Sequence, residues 1–211
     1  MEDIKNYVPE NNSLSEGQVL PGPYEYEKAK LVIKEMAEAL TYTMVRKGLL
    51  TDQIAISIGY DISDIAKDDI TIDKDWYGRE VPKGNHSSIN IGQFTSSTAL
   101  ITNAAVILFD QLVNKKLHVR RMFIVATRVI KISEVKKYEE EYEQMNLFVD
   151  YDELETKKKE RLAKLEEENR LQKTILNIKD KYGKNMILKG HDFEEGGTTR
   201  ERNQQIGGHK A

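Results

Sequence analysis

Gln53-Ile54-Ala55-Ile56-Ser57-Ile58-Gly59-Tyr60 is the stretch that decides the fold. Side chains along a strand point alternately to opposite faces, so Ile54, Ile56 and Ile58 share one face and Ala55, Ser57 and Gly59 the other. A strand this lopsided belongs to a sheet covered on one side only. Working outward from it, Ala29, Val32, Ile33, Met36, Ala37, Leu40 and Met44 recur at three and four, with Lys and Glu between them. That spacing predicts an amphipathic helix over Tyr24 to Lys47, ended by Gly48. Before it, Ser13 to Leu20 reads as a short edge strand running into Pro21-Gly22-Pro23, since proline is tolerated at a sheet edge.

Downstream, Asp61 to Asn85 is polar, with turn signals at Tyr77-Gly78 and Lys83-Gly84-Asn85, and it has room for a small hairpin around Ile70 to Val81. A second alternating run spans His86 to Ile91. Ser96 to Val113 reads as a serine-capped helix with a wide apolar face, and Val119 to Ile132 as one long β-branched strand. The fold class expected is therefore α+β. The order β-α-β-β-α-β closes as a split β-α-β sandwich, four strands in one sheet and both helices on one face. The other face stays open and offers Ala55, Ser57 and Gly59, with His86, Ser88 and Asn90 if Ile89 and Ile91 turn to the helices. Side chains that small suit close approach of a bulky partner.

With 211 residues, the chain has room for one ordinary domain and something more. The expected division is a leader or linker over 1–12, a compact domain over 13–137, a flexible segment over 138–152, and a charged helix with a polar tail over 153–211. The helix, Glu153 to Tyr182, carries a stripe of Leu154, Leu162, Leu165, Leu171, Ile175 and Ile178 too irregular for a coiled coil. The glycine-rich end is expected to order only if it docks on something. The absence of cysteine excludes disulfides and thiolate metal sites and fits a reducing compartment. No apolar run approaches the roughly 18 residues of a membrane span, so the expectation is a cytoplasmic protein with no membrane partner.

A hydrophobic fraction of 39% suits a packed core, while 32% charged residues and a mean hydropathy of −0.60 require much solvated surface. The formal net charge of −3 argues against a polyanion partner until it is divided along the chain. Lys115, Lys116, Arg120, Arg121, Arg128, Lys131, Lys136 and Lys137 form a basic island with only Asp110 and Glu134 among them. Glutamates crowd the stretch that follows. The island reads either as the solvated edge of the last strand or as a surface that tracks phosphates. Ser15, Gly17, Gln18, Ser87, Ser88 and Thr95 could add neutral phosphate contacts.

Gln144-Met145-Asn146-Leu147-Phe148 sits in that acidic segment. Two large apolar residues there read as anchors for a hydrophobic pocket on a partner, with glutamine fixing register, or else they fold back on their own domain. Asp68, Asp69, Asp73 and Asp75 lack the glycine and terminal glutamate of a calcium loop and read as a solvated turn. His86, His118, His191 and His209 lack zinc-site spacing. No phosphate-binding glycine loop, nucleophile elbow or cysteine nucleophile is present in the sequence. No residue is assigned to catalysis or to a metal.

Ser15-Glu-Gly-Gln-Val-Leu20, Leu49 through Asp61, His86-Ser-Ser-Ile-Asn-Ile91, Phe109-Asp110, Val119-Arg-Arg121 and the closing Ile206-Gly-Gly-His-Lys-Ala211 together resemble the little-finger region of Y-family translesion DNA polymerases. The UmuC-like branch, ImpB/MucB/SamB, is the most similar. The resemblance implies a domain that lies along primer–template duplex DNA with its sheet toward the major groove, in a protein of DNA repair and SOS mutagenesis. The DNA-contacting residues it implies are Ser15, Gly17, Gln18, Ser57, His86, Ser88, Asn90, Arg120, Arg121, Arg128 and Lys131. It also implies that Gln144, Met145, Leu147 and Phe148 bind the bacterial β sliding clamp. Met145 stands where the family's peptide more often has leucine, and methionine adapts to such pockets. The family's Mg²⁺-binding carboxylates belong to an upstream palm, so the expectation is no cofactor here, a catalytic core upstream in the same polypeptide, and no polymerase activity from these residues alone. The alternatives are a non-enzymatic adaptor that binds DNA or the clamp, and an RNA-binding sheet, which the lack of paired stacking aromatics disfavours.

Overall fold

A computed structural model describes residues 12–75, 77–135, 151–206 and 209–210. The isoleucine-rich stretch is the centre of β2 (Leu49–Tyr60), and it lies inside an antiparallel sheet of order β1-β6-β2-β5, built with β1 (Leu14–Tyr24), β5 (Asn85–Thr95) and β6 (Val119–Thr127). The first split unit is β1, α1 (Tyr26–Lys47) and β2, with β6 inserted between the two strands. The second is β5, α2 (Thr98–Leu112) and β6, with β2 inserted. Each unit thus holds the other's strands apart, which accounts for the wholly antiparallel sheet. The expected α+β order and one-sided helix layer are what the structure has.

Register places Ile54, Ile56 and Ile58 beside Ala126, Ile124 and Met122, all buried against Val32, Ile33, Met36, Leu40, Ile101, Leu108 and Phe109 of the helices. Ile89 and Ile91 also pack against this core. Gly48 closes α1 in the left-handed conformation, φ 63°, and returns its N–H to the last carbonyls. Ser97 caps α2 by accepting from the Leu100 N–H. Phe109-Asp110 ties the helices together: Phe109 stacks on Tyr26, and the Asp110 carboxylate accepts from the Tyr26 hydroxyl at 2.6 Å and the Lys30 ammonium at 2.7 Å.

Two elements depart from expectation. β1 runs on through Pro21 and Pro23 to Tyr24, at the cost of an irregularity between Val19 and Tyr24, because an edge strand needs donors on one side only. The long last strand breaks after Thr127. Arg128 takes φ 53°, and the chain resumes as β7 (Ile130–Lys131) paired with Leu49 and Leu50. Asp52 holds that bend through an ion pair to Arg128 at 3.0 Å. The expected hairpin is present as β3 (Ile72–Lys74) and β4 (Glu80–Pro82).

The C-terminal segment docks. Helix α3 (Tyr151–Tyr182) lies on the outer side of the helix layer through Glu168, Gln172, Leu176 and Asp180, a set offset from the stripe read in the sequence. Leu162 and Leu171 of that stripe are exposed. Beyond α3, residues 183–204 fold back over α1, where the buried Glu35 carboxylate accepts from the Thr198 N–H at 2.8 Å and its hydroxyl at 2.9 Å. Glu38 pairs with Lys189 at 2.6 Å. The short α4 (Thr199–Arg202) follows, and β8 (Gln205–Ile206) pairs with β9 (His209–Lys210).

Candidate nucleic-acid interface

The tail covers the helices and leaves the other face of the sheet to solvent. Two cross-strand rows define that face: Ser15, Val125, Ala55 and Ser88, then Gly17, Phe123, Ser57 and His86. Val19 and Gly59 flank Arg121 at the next level. Ser15, Gly17, Ser57, His86, Ser88 and Asn90 are all exposed, and the structure brings them to one surface. Asn90 spends its side-chain oxygen on the Gly92 N–H.

The glycines on this face are already occupied. A Cβ on Gly17 would stand 2.5 Å from the Phe123 ring, and one on Gly59 2.6 Å from the Arg121 side chain. The space read in the sequence as room for a partner is filled by two large side chains of β6, which lean outward to either side. Sequence reading overlooked Phe123, 44% exposed at the middle of the face. The signal was available, because Phe123 alternates out of phase with the buried Met122 and Ile124.

Gln18 belongs elsewhere. Its parity in β1 turns it to the helix side, where its side-chain oxygen accepts from the Thr198 hydroxyl at 3.3 Å. Its expected place beside Ser15 and Gly17 is therefore corrected: neighbours in a strand face opposite ways, and the tail claims this one. The basic island also divides. Arg120 sits at the irregular end of β6, donates to the Leu20 carbonyl and pairs with Asp61 at 3.5 Å. Arg128 pairs with Asp52, Lys115 lies 4.2 Å from the Tyr26 ring centroid, and Lys131 is exposed on β7 away from the two rows. Counting acids only between Asp110 and Lys137 missed Asp52 and Asp61, which the sheet brings alongside. Among the described residues, Arg121 has no ion-pair partner.

Acid–base geometry outside this face is structural. Asp64 receives Lys67 at 2.7 Å and the His118 ring at 2.9 Å. Burial pushes its carboxyl up, but the bonds from Lys67 and His118 outweigh that and hold it below the usual carboxylate range. Asp75 is likewise held low by Arg79, its partner within the β3–β4 turn. Among the described residues no group of three acids or histidines could hold a metal ion, so Asp68, Asp69, Asp73 and Asp75 form no such site. No described helix is long and apolar enough to cross a membrane. Lys136, Lys137 and Gln144 to Phe148 lie outside the described residues.

Comparison with known proteins adds two findings. Among curated proteins, none matches the sequence. Among solved structures, a complex of beta-clamp processivity factor and little finger domain of PolIV aligns with 66% of this chain and 97% of its own, at 9% identity and a TM-score of 0.35. The family comparison is decisive, because the sequence model of the impB/mucB/samB family C-terminal domain matches residues 11–147, which takes in β1 through β7 and all of both split units. This chain belongs to the impB/mucB/samB family, and its sheet-and-helix sandwich is the family's C-terminal domain.

Proposed function

We propose that the open face of the sheet binds primer–template duplex DNA and that the segment Gln144 to Phe148 tethers the protein to a sliding clamp, in support of translesion synthesis whose phosphoryl transfer is carried out by a catalytic core upstream. The observation that carries the DNA reading is the asymmetry of the sheet. One face is sealed by two helices and a tail, while the other presents exposed serines, His86 and Arg121 with no such cover among the described residues. Serine hydroxyls and a guanidinium in a broad, nearly flat array suit phosphate and sugar contacts along a duplex, which need no pocket.

The tether rests on the sequence alone, on two adjacent apolar anchors behind a glutamine. The two activities separate experimentally. Duplex affinity should fall linearly on a log–log plot as salt rises, with a slope of about −0.9 per phosphate neutralised. Affinity that ignores salt, or no binding at low salt, overturns the DNA reading. Capture by the clamp should disappear when Leu147→Ala is combined with Phe148→Ala, with the circular dichroism spectrum unchanged. Undiminished capture overturns the tether.

A further inference from the structure

One end of the open face is not flat. Beside β2 the β3–β4 hairpin rises and closes a cleft of about 220 Å³, lined by Ser57, Asp73, Val81, Arg121 and Phe123 among others. Gly84 permits this approach, since a Cβ there would lie 2.7 Å from the Ile58 carbonyl oxygen. Phe123 covers Gly17 on one side and lines the cleft on the other. Asp75 is committed to Arg79 and to the backbone N–H groups of Tyr77 and Arg79, whereas the exposed Asp73 carboxylate accepts from the Lys74 N–H.

The composition of the lining narrows the ligand. Asp73 and Asp75 in the lining are balanced by Lys74 and Arg121, so the cleft carries no net positive charge to draw a phosphate inside. A phenyl ring and the Val81 and Pro82 side chains suit a flat apolar surface, and the Ser57 hydroxyl and Asp73 carboxylate can accept from N–H groups at its rim. Arg121 lines the cleft as it leans across Gly59, and without an ion-pair partner among the described residues it is free to meet an anion beside the ring. A planar ring with amino groups on its edge and an anionic link beside it is a nucleotide. Building on the duplex-binding reading, we infer that this cleft takes one unpaired nucleobase of the bound DNA, with Phe123 against the base and Arg121 on the neighbouring phosphate. A paired base cannot enter without leaving its stack, so the ligand comes from a single-stranded overhang or a bulge.

The test compares three duplexes with equal numbers of phosphates, binding the whole chain at low salt: one blunt, one with a 5′ overhang, and one with a single-base bulge. Each unpaired position carries 2-aminopurine as a fluorescent probe. At least one unpaired substrate should bind about fivefold or more tighter than the blunt duplex, with quenching of the probe. Phe123→Leu, which keeps an apolar cover over Gly17, should abolish both the preference over the blunt duplex and the quenching of the probe, and Phe123→Tyr should keep both. Equal affinity for all three duplexes, or a preference that survives Phe123→Leu, overturns the cleft and leaves duplex binding intact. Absence of binding to every duplex overturns both readings.

Discussion

The two faces of the sheet use the polar groups close to them in opposite ways. On the helix side key charges are spent within the molecule: Glu35 on Thr198, Glu38 on Lys189, Asp110 on Lys30 and Tyr26, and Glu168 on the capping Ser97 of α2 at 2.5 Å. On the open side Arg121 leans over a glycine and has no ion-pair partner among the described residues. The difference shows why a charge count along the chain says little about availability. A buried carboxylate with its donors in place contributes to folding, whereas an exposed cation without an ion pair remains available to a partner.

The largest effect that could break the comparison comes from adjacent residues on opposite faces. Ile56→Ala empties a fully buried site between the sheet and the helices and should cost about 2–5 kcal/mol in urea unfolding. Ser57→Ala, one residue on and exposed, should change stability by less than about 0.5 kcal/mol. Similar losses at both positions would mean that the open face is packed after all.

A smaller effect is expected where the tail is fastened. Glu35→Ala leaves the buried Thr198 N–H without its acceptor and its hydroxyl with only the longer bond to Gln18, a loss of about 1–3 kcal/mol. It should show first as faster proteolysis within residues 183–204, with the sheet amides still protected from exchange. Cleavage as slow as in the unmodified protein would show that the tail is held by other contacts.

Acid should loosen the same side by about 1 kcal/mol at Asp110. Burial pushes this carboxyl up, but bonds from Lys30 and Tyr26 outweigh it and hold it below the usual range. A carboxyl depressed on folding stabilises above its unfolded value, near 4, and that stabilisation is lost as pH falls through the folded value. The pair is about a third exposed at Asp110, so solvent screening keeps the effect near 1 kcal/mol. Asp110→Asn should lower stability at pH 7 and flatten its decline below pH about 4. An unchanged acid limb would assign that decline to Asp64 and other carboxylates.

Much of this arrangement was legible beforehand. The alternation of Ile54, Ile56 and Ile58, the spacing of α1 and the serine before α2 fixed the sandwich, because period and capping are local properties. The pairing of charges was not legible. Asp52 meets Arg128 and Asp61 meets Arg120 only through strand register, and Glu35 meets Thr198 across most of the chain. Gln18 was misplaced for the same reason, since parity in an irregular edge strand is weakly marked when both faces are polar. Phe123 was overlooked in a strand whose β-branched character masks its alternation.

The smallest expected effect on stability separates two adjacent arginines. Arg121→Gln removes a cation from the open face with no described ion pair to break, so stability should shift by less than about 0.5 kcal/mol. If Arg121 meets a phosphate, the same change should weaken duplex binding and reduce the magnitude of its salt slope by about 1. Arg120→Gln should do the reverse, because Asp61 and the Leu20 carbonyl lose their donor while the open face keeps its charge. Urea unfolding together with a salt titration of duplex affinity on the two variants separates these roles. Equal salt slopes for the two would mean that proximity along β6, and not the face each arginine occupies, governs contact with DNA.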